Sequence, residues 1–222
     1  MEVFTKGANE LRPKIKICGI TREEEIRMLN DAGVDYAGFV FYEKSKRYIS
    51  MEGAERLKKQ LDSRIKSVAV TVSPDAELVR TICANDFDII QIHKDIDEEA
   101  LRAATKPVWM AINVSDAAAA NDKLRQIEQM AELSGKEPEG FVVDAENFGS
   151  GRTFDWHAGN IPEMHGLFIL AGGLDAENAG EAIRLFSPDV VDVSSSVEGN
   201  SGKDEAKIKE FINSVRKAAD NE

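Results

Sequence analysis

The stretch "KIKICGITREEE" (Lys14–Glu25) decides the fold. An apolar run of strand character ends at Cys18–Gly19, and the chain turns at once into an acidic segment. That segment opens an amphipathic helix. Ile26, Leu29 and Ala32 fall on one face, the acidic first turn suits the positive end of the helix dipole, and Gly33 supplies a stop. A strand feeding a helix in this way starts either a doubly wound open sheet or a closed barrel. A dinucleotide-binding open sheet calls for G-x-G-x-x-G at this turn, and the turn carries no such series.

The same beat continues outward from this unit. Strand-like runs recur at "DYAGFVF" (35–41), "IKSVAVTV" (65–72), "DIIQIH" (88–93), "PVWMAINV" (107–114), "GFVVDA" (140–145), "GLFILAGG" (166–173) and "DVVDVSSS" (189–196). Amphipathic segments separate them. "SPDAELVRTICAND" opens with a Ser-Pro cap signal, "DAENAGEAIRLF" with an Asp cap, and "KDEAKIKEFINSVRKAA" reads as a terminal helix. Strands alternating with helices imply parallel pairing through right-handed crossovers. The reading is an α/β fold, an eight-stranded (β/α)8 or TIM barrel, formed by residues 14–222 as one domain. Residues 1–13 are expected as a disordered extension. The Gly-rich "ENFGSGRTFDWHAGN" (146–160) is expected as a long functional loop.

Composition excludes several classes. The 222 residues carry a net charge of −12, a poor match for nucleic-acid phosphates or anionic membranes. No run approaches the roughly 20 apolar residues of a membrane span, and the N-terminus has no apolar signal core. The two cysteines, Cys18 and Cys83, are far apart, which argues against a disulfide framework and fits a reducing cytoplasm. No Cys/His cluster suggests a metal. An anionic substrate of so acidic a chain needs strong local donors.

Strand alternation sorts the side chains. Ile15 and Ile17 face the helices, and Lys16 and Cys18 face inward. By the same rule Gln91 and His93 share the inner face, as do Asp192 and Ser194, and Val142 shares its face with Asp144. A barrel interior normally packs branched apolar residues. Polar groups there must pair with one another or face a ligand. Cys18, His93, Asp144 and Ser194 lie nearest the C-terminal strand ends, where barrel active sites sit. Lys16 and Asp192 lie one layer deeper and are expected to form a buried ion pair.

The stretches "KIKICGITREEE", "GFVFYEKSKRYIS", "IIQIH", "FVVDAE…GSGRTFDW", "LAGGLDAENAGEAI" and "VDVSSSVEGNSGKDEAKI" resemble, in order, the phosphoribosylanthranilate isomerases. The resemblance runs from about Lys14 to the C-terminal helix. It implies an Amadori rearrangement of N-(5-phosphoribosyl)anthranilate to 1-(2-carboxyphenylamino)-1-deoxyribulose 5-phosphate in tryptophan biosynthesis, with no cofactor. It also implies the roles. Cys18 is the general base and Asp144 the general acid. Arg47 holds the anthranilate carboxylate, for which a planar guanidinium is suited. Gly172, Gly173, Ser194 and Ser195 bind the phosphate, and Gln91 and His93 line the pocket.

Three positions depart from the family pattern. Ser196 stands where a glycine is usual after the last strand, Lys94 where a glycine usually follows His93, and Arg152 where a lysine is usual. Cys83 reads as a packing residue, His157 and His165 as structural, and Asp155 and Trp156 as loop anchors. The acidic runs "REEE" and "DIDEE" read as solvated helix starts. Two alternatives stand beside the isomerase. One is the bifunctional histidine/tryptophan phosphoribosyl isomerase, which uses a pair of aspartates where this chain has Cys18 and Asp144. The other is a non-catalytic phosphosugar-binding barrel. The chain is expected as a monomer or homodimer, with a small-molecule substrate and no nucleic-acid or membrane partner.

Overall fold

A computed structural model describes residues 12–113, 117–144 and 164–220; the side chains of residues 113, 117–119, 144 and 220 lie outside the description. So do residues 1–11, most of the expected extension, and the Gly-rich segment with Arg152, Asp155, Trp156 and His157.

Eight parallel strands close into a barrel in chain order. They are β1 (Lys14–Cys18), β2 (Tyr36–Val40), β3 (Lys66–Val72), β4 (Ile89–His93), β5 (Val108–Asn113), β6 (Gly140–Asp144), β7 (Leu167–Ala171) and β8 (Val190–Val193). The helices between them are α1 (Glu23–Ala32), α2 (Met51–Lys58), α3 (Ala76–Ala84), α4 (Glu98–Ala103), α5 (Ala117–Ser134) and α6 (Ala179–Phe186), and α7 (Glu205–Asp220) closes the chain. All eight strand segments expected from the sequence form. β7 ends before Gly172 and Gly173, whose φ angles of 86° and 60° leave the strand conformation.

The core has two parts, as a barrel requires. Ile15, Ile17, Ile90, Ile92, Val191 and Val193 face outward into the layer beneath the helices. Val68, Val70, Trp109, Val142, Ile169 and Val190 fill the interior. Tyr36 meets Trp109 edge-on inside it, with ring centroids 5.0 Å apart.

The N-terminal rim is closed by one repeated device. Asp35, Asp88 and Asp189 each precede a strand and accept a backbone N–H from the neighbouring strand. The donors are Ile15 (2.8 Å), Ser67 (2.7 Å) and Phe168 (2.8 Å). Each carboxylate satisfies a donor that would otherwise begin its strand unpaired.

Three local expectations are corrected. Asp75, not the Ser73–Pro74 pair, caps α3; its side chain accepts the Leu78 N–H. Asp175 does not cap α6. It accepts the N–H groups of Glu177 and Asn178 and so shapes the turn that precedes the helix. In the "REEE" run, Glu25 is buried rather than solvated. Its carboxylate accepts the N–H groups of Thr21 and Arg22, and also that of Lys203, far along the chain. The long-range acceptor role outweighs the local tendency of a glutamate to face water. His165 is exposed.

Candidate active site

A cavity of about 740 Å³ opens at the C-terminal ends of the strands. Cys18 at the end of β1, Arg47 in the loop after β2, and Gln91 and His93 of β4 all line it. So do Gly172 and Gly173 after β7 and Ser194 and Ser195 after β8. Residues spread over most of the chain thus meet at one site. Asp144 ends β6 in register with Ala171, another lining residue. Its side chain is outside the described residues.

The floor is ionic. Lys16 and Asp192 are register partners on β1 and β8, and Lys16 Nζ lies 2.5 Å from Asp192 Oδ2, with the lysine fully buried. This is the pair expected from strand alternation. Burial alone would drive the lysine pKa down, but Asp192 and Cys18 beside it together outweigh that and raise it. The cation is therefore bound to a carboxylate one layer below the thiol. Burial pushes the Cys18 thiol up; Lys16 and Lys203 oppose that and Asp192 adds to it.

Cys18 owes its space to glycine. A Cβ at Gly38 of β2 would stand 2.8 Å from Cys18 Sγ. Gly19, with φ of 85°, turns the chain beyond the thiol, and the stem of Arg47 lies where a Gly19 side chain would be: a Cβ there would collide with Arg47 Cδ. The "ICG" of β1 therefore shapes the beds of both Cys18 and Arg47.

Gln91 Nε2 donates to His93 Nε2 at 2.9 Å, which requires that ring nitrogen to be an unprotonated acceptor. Burial, with Lys16 nearby, holds the His93 pKa down to about 4, so the ring is neutral at pH 7. Gln91 Oε1 is buried without a hydrogen bond among the described residues.

The β7 and β8 loops are laced together. Asn178 Nδ2 donates to Gly173 O (2.9 Å), and Ser196 Oγ donates to Leu174 O. Ser196 thus turns its hydroxyl onto the neighbouring loop. Lys94, the other residue in place of a usual glycine, adopts φ of 63° at the cavity edge.

Two side chains that sequence reasoning passed over join this site. The strands β9 (Glu198–Gly199) and β10 (Gly202–Lys203) form a small hairpin after β8. Lys203 is buried, and its Nζ donates to Ser194 O (3.0 Å), Ser194 Oγ (3.3 Å) and Glu198 Oε1 (3.1 Å). Ser194 Oγ in turn donates to Cys18 O (2.9 Å). Glu198 also accepts from Arg47 Nε and from Lys46. Its own burial would raise the carboxyl pKa, but the hydrogen bond from Arg47 and the Lys203 cation win and hold it at about 2. The one local signal that could have found the hairpin is the Gly-Asn-Ser-Gly run at 199–202, and nothing local marks its two charged ends as partners.

Residues 15–214 match the family model for N-(5'-phosphoribosyl)anthranilate (PRA) isomerase. The chain belongs to this family. It is 43% identical over 204 residues to the N-(5'-phosphoribosyl)anthranilate isomerase of Streptococcus gordonii, covering 91% of this chain and 97% of that one. The structure is similar to the crystal structure of the Thermotoga maritima phosphoribosyl anthranilate isomerase (TM-score 0.78, 32% identity, 92% and 99% of the two chains). It also resembles a family member crystallised with reduced 1-(o-carboxyphenylamino)-1-deoxyribulose 5-phosphate (TM-score 0.72, 30% identity, 92% and 99% covered). Among the described residues no cluster could hold a metal ion, and no helix is long and apolar enough to cross a membrane.

Proposed function

We propose that this enzyme converts N-(5-phosphoribosyl)anthranilate to 1-(2-carboxyphenylamino)-1-deoxyribulose 5-phosphate by acid–base catalysis. The carrying observation is the meeting of Cys18, Arg47 and the glycine–serine loops around one cavity in a chain of this family. The relative crystallised with the reduced product supports the assignment of ligand.

Asp144, protonated, gives its proton to the furanose ring oxygen; the C1–O bond breaks and a C1–N Schiff base forms. Cys18, as thiolate, takes the proton from carbon two, and the electron pair passes through the C1–C2 bond to the nitrogen. The resulting enolamine tautomerises to the ketose, with a proton arriving at carbon one. A thiol raised by burial is a scarce thiolate, so the reacting fraction depends on cations drawn near it. Arg47 takes the anthranilate carboxylate. The phosphate rests against the N–H groups of the Gly172–Gly173 and Ser194–Ser195 loops, where left-handed glycine backbone bares donors to an anion. These fixed donors offset the repulsion an acidic chain exerts on a multiply charged anion.

An assay with the tryptophan-pathway and histidine-pathway aminoaldoses tests this reading. Turnover of the first alone is expected. Turnover of both would assign the bifunctional isomerase, and turnover of neither the binding protein. The neighbouring structures include monomers generated from a dimeric Thermotoga maritima enzyme. We infer a monomer or homodimer here, which ultracentrifugation decides.

A further inference from the structure

We propose that Glu198 is a positioning residue for substrate binding: it grips Arg47 by the Nε edge of its guanidinium and leaves the Nη edge for the substrate carboxylate. The proposal rests on the isomerase reading of Arg47.

Five contacts fix the arginine or its partner. The stem lies on the bare Cα of Gly19, where a Cβ would collide with Cδ. The Arg47 backbone N–H donates to Ser45 Oγ (3.1 Å). The Nε group donates to Glu198 Oε1, and among the described residues no hydrogen bond engages either Nη atom. Glu198 is itself held, by Lys203 and Lys46, each at 3.1 Å. Lys203 cannot drift, because Ser194 binds its Nζ and the buried Glu25 accepts its backbone N–H at 2.9 Å. A continuous chain of contacts thus runs from the start of α1 through the hairpin to Arg47. A long side chain with several rotatable bonds is pre-ordered by it, and less entropy remains to be lost when substrate binds.

An opposing reading is that Glu198 competes with the substrate for Arg47. The geometry argues against it. A guanidinium can offer one edge to each of two carboxylates, and the Lys203 and Lys46 cations keep Glu198 in place on its own side.

Steady-state kinetics of the full chain distinguish these cases. Glu198→Gln is expected to raise KM roughly tenfold to a hundredfold, the value of a charge-assisted hydrogen bond, with kcat within about threefold. On an Arg47→Met background the same change is expected to raise KM by less than about twofold, because the residue acts through the arginine. Glu198→Gln with Lys203→Met removes both charges and strands neither; the KM rise is expected to persist in it. A fall in KM on Glu198→Gln would establish competition and overturn the proposal. So would an unchanged KM, an undiminished effect on the Arg47→Met background, or recovery in the double variant. An inactive wild type sinks the isomerase reading and this proposal together; an active wild type matched by Glu198→Gln sinks this proposal alone.

Discussion

At the N-terminal rim, Asp35, Asp88 and Asp189 each bond a neighbouring strand's N–H, and Tyr36 and Trp109 seal the interior above them. At the C-terminal rim the polar groups are arranged around space. Gln91 Oε1 has no hydrogen bond among the described residues, Arg47 is bound by one edge, and Gly172 and Gly173 hold left-handed backbone beside the cavity. The same eight strands build both rims. The difference teaches that a barrel separates stability from chemistry by strand polarity: carboxylates before the strands are spent on neighbouring strands, whereas the groups after them face a cavity.

Substitutions at the two rims should therefore fail in different ways. The largest effect is expected from Cys18→Ala, which should lower kcat by about 10²- to 10⁴-fold, the range of a lost general base, with little change in melting temperature. Asp189→Ala at the other rim should instead cost about 1–3 kcal/mol of unfolding free energy by orphaning the Phe168 N–H, with kcat unchanged below the melting range. Paired denaturant melts and kinetics check both. A Cys18→Ala enzyme with near-normal kcat would remove the thiol from the mechanism.

Gly38→Ala sharpens the comparison, since it places a methyl against Cys18 without touching the thiol's chemistry. The collision at 2.8 Å should cost about 1–3 kcal/mol of stability and lower kcat together, a mixed failure of a kind neither rim shows alone. A Gly38→Ala enzyme of full activity and stability would mean that β2 yields freely there.

The next effect is one of pH. His93 is neutral in the fold with a pKa of about 4, below its unfolded value near 6.5. Protons thus bind the unfolded chain more readily, so the stability that the neutral ring contributes is full above pH 6.5 and is lost as pH falls through 4. Its size is on the order of 3 kcal/mol. Urea melts from pH 7 to pH 4 should show this slope, and His93→Gln should flatten it. An unchanged slope would assign the acid sensitivity to other groups.

Ser196→Gly should have the smallest effect. It removes the tie to Leu174 O and restores the residue usual in the family, so KM should change by no more than about threefold, with a stability loss of about 1 kcal/mol. A large rise in KM would show that this chain depends on the serine to hold its loops together.

Much of this was legible along the chain. The period-two alternation of β1 and β8 is enough to pair Lys16 with Asp192, because it puts both charges on the inner face of strands that closure makes neighbours, and a buried charge is tolerated beside an opposite one. Cys18, Arg47, Gln91 and the glycine and serine loops were each marked by motif and all reach one cavity. Glu25, Glu198 and Lys203 were not marked. Each looks like a solvated charge in its own neighbourhood, and each is defined by partners many residues away.

What the sequence determined by itself is the order and phase of the elements. Hydrophobic periodicity is a local property, so it fixes which residues are strand and which face turns inward. What only the tertiary structure decided is the company each charge keeps. Closing the barrel brings β8 beside β1 and lays the hairpin against both Ser194 and Arg47. Desolvation there converts Glu198 and Lys203 from surface charges into obligate partners, because a buried charge is tolerated only where another answers it.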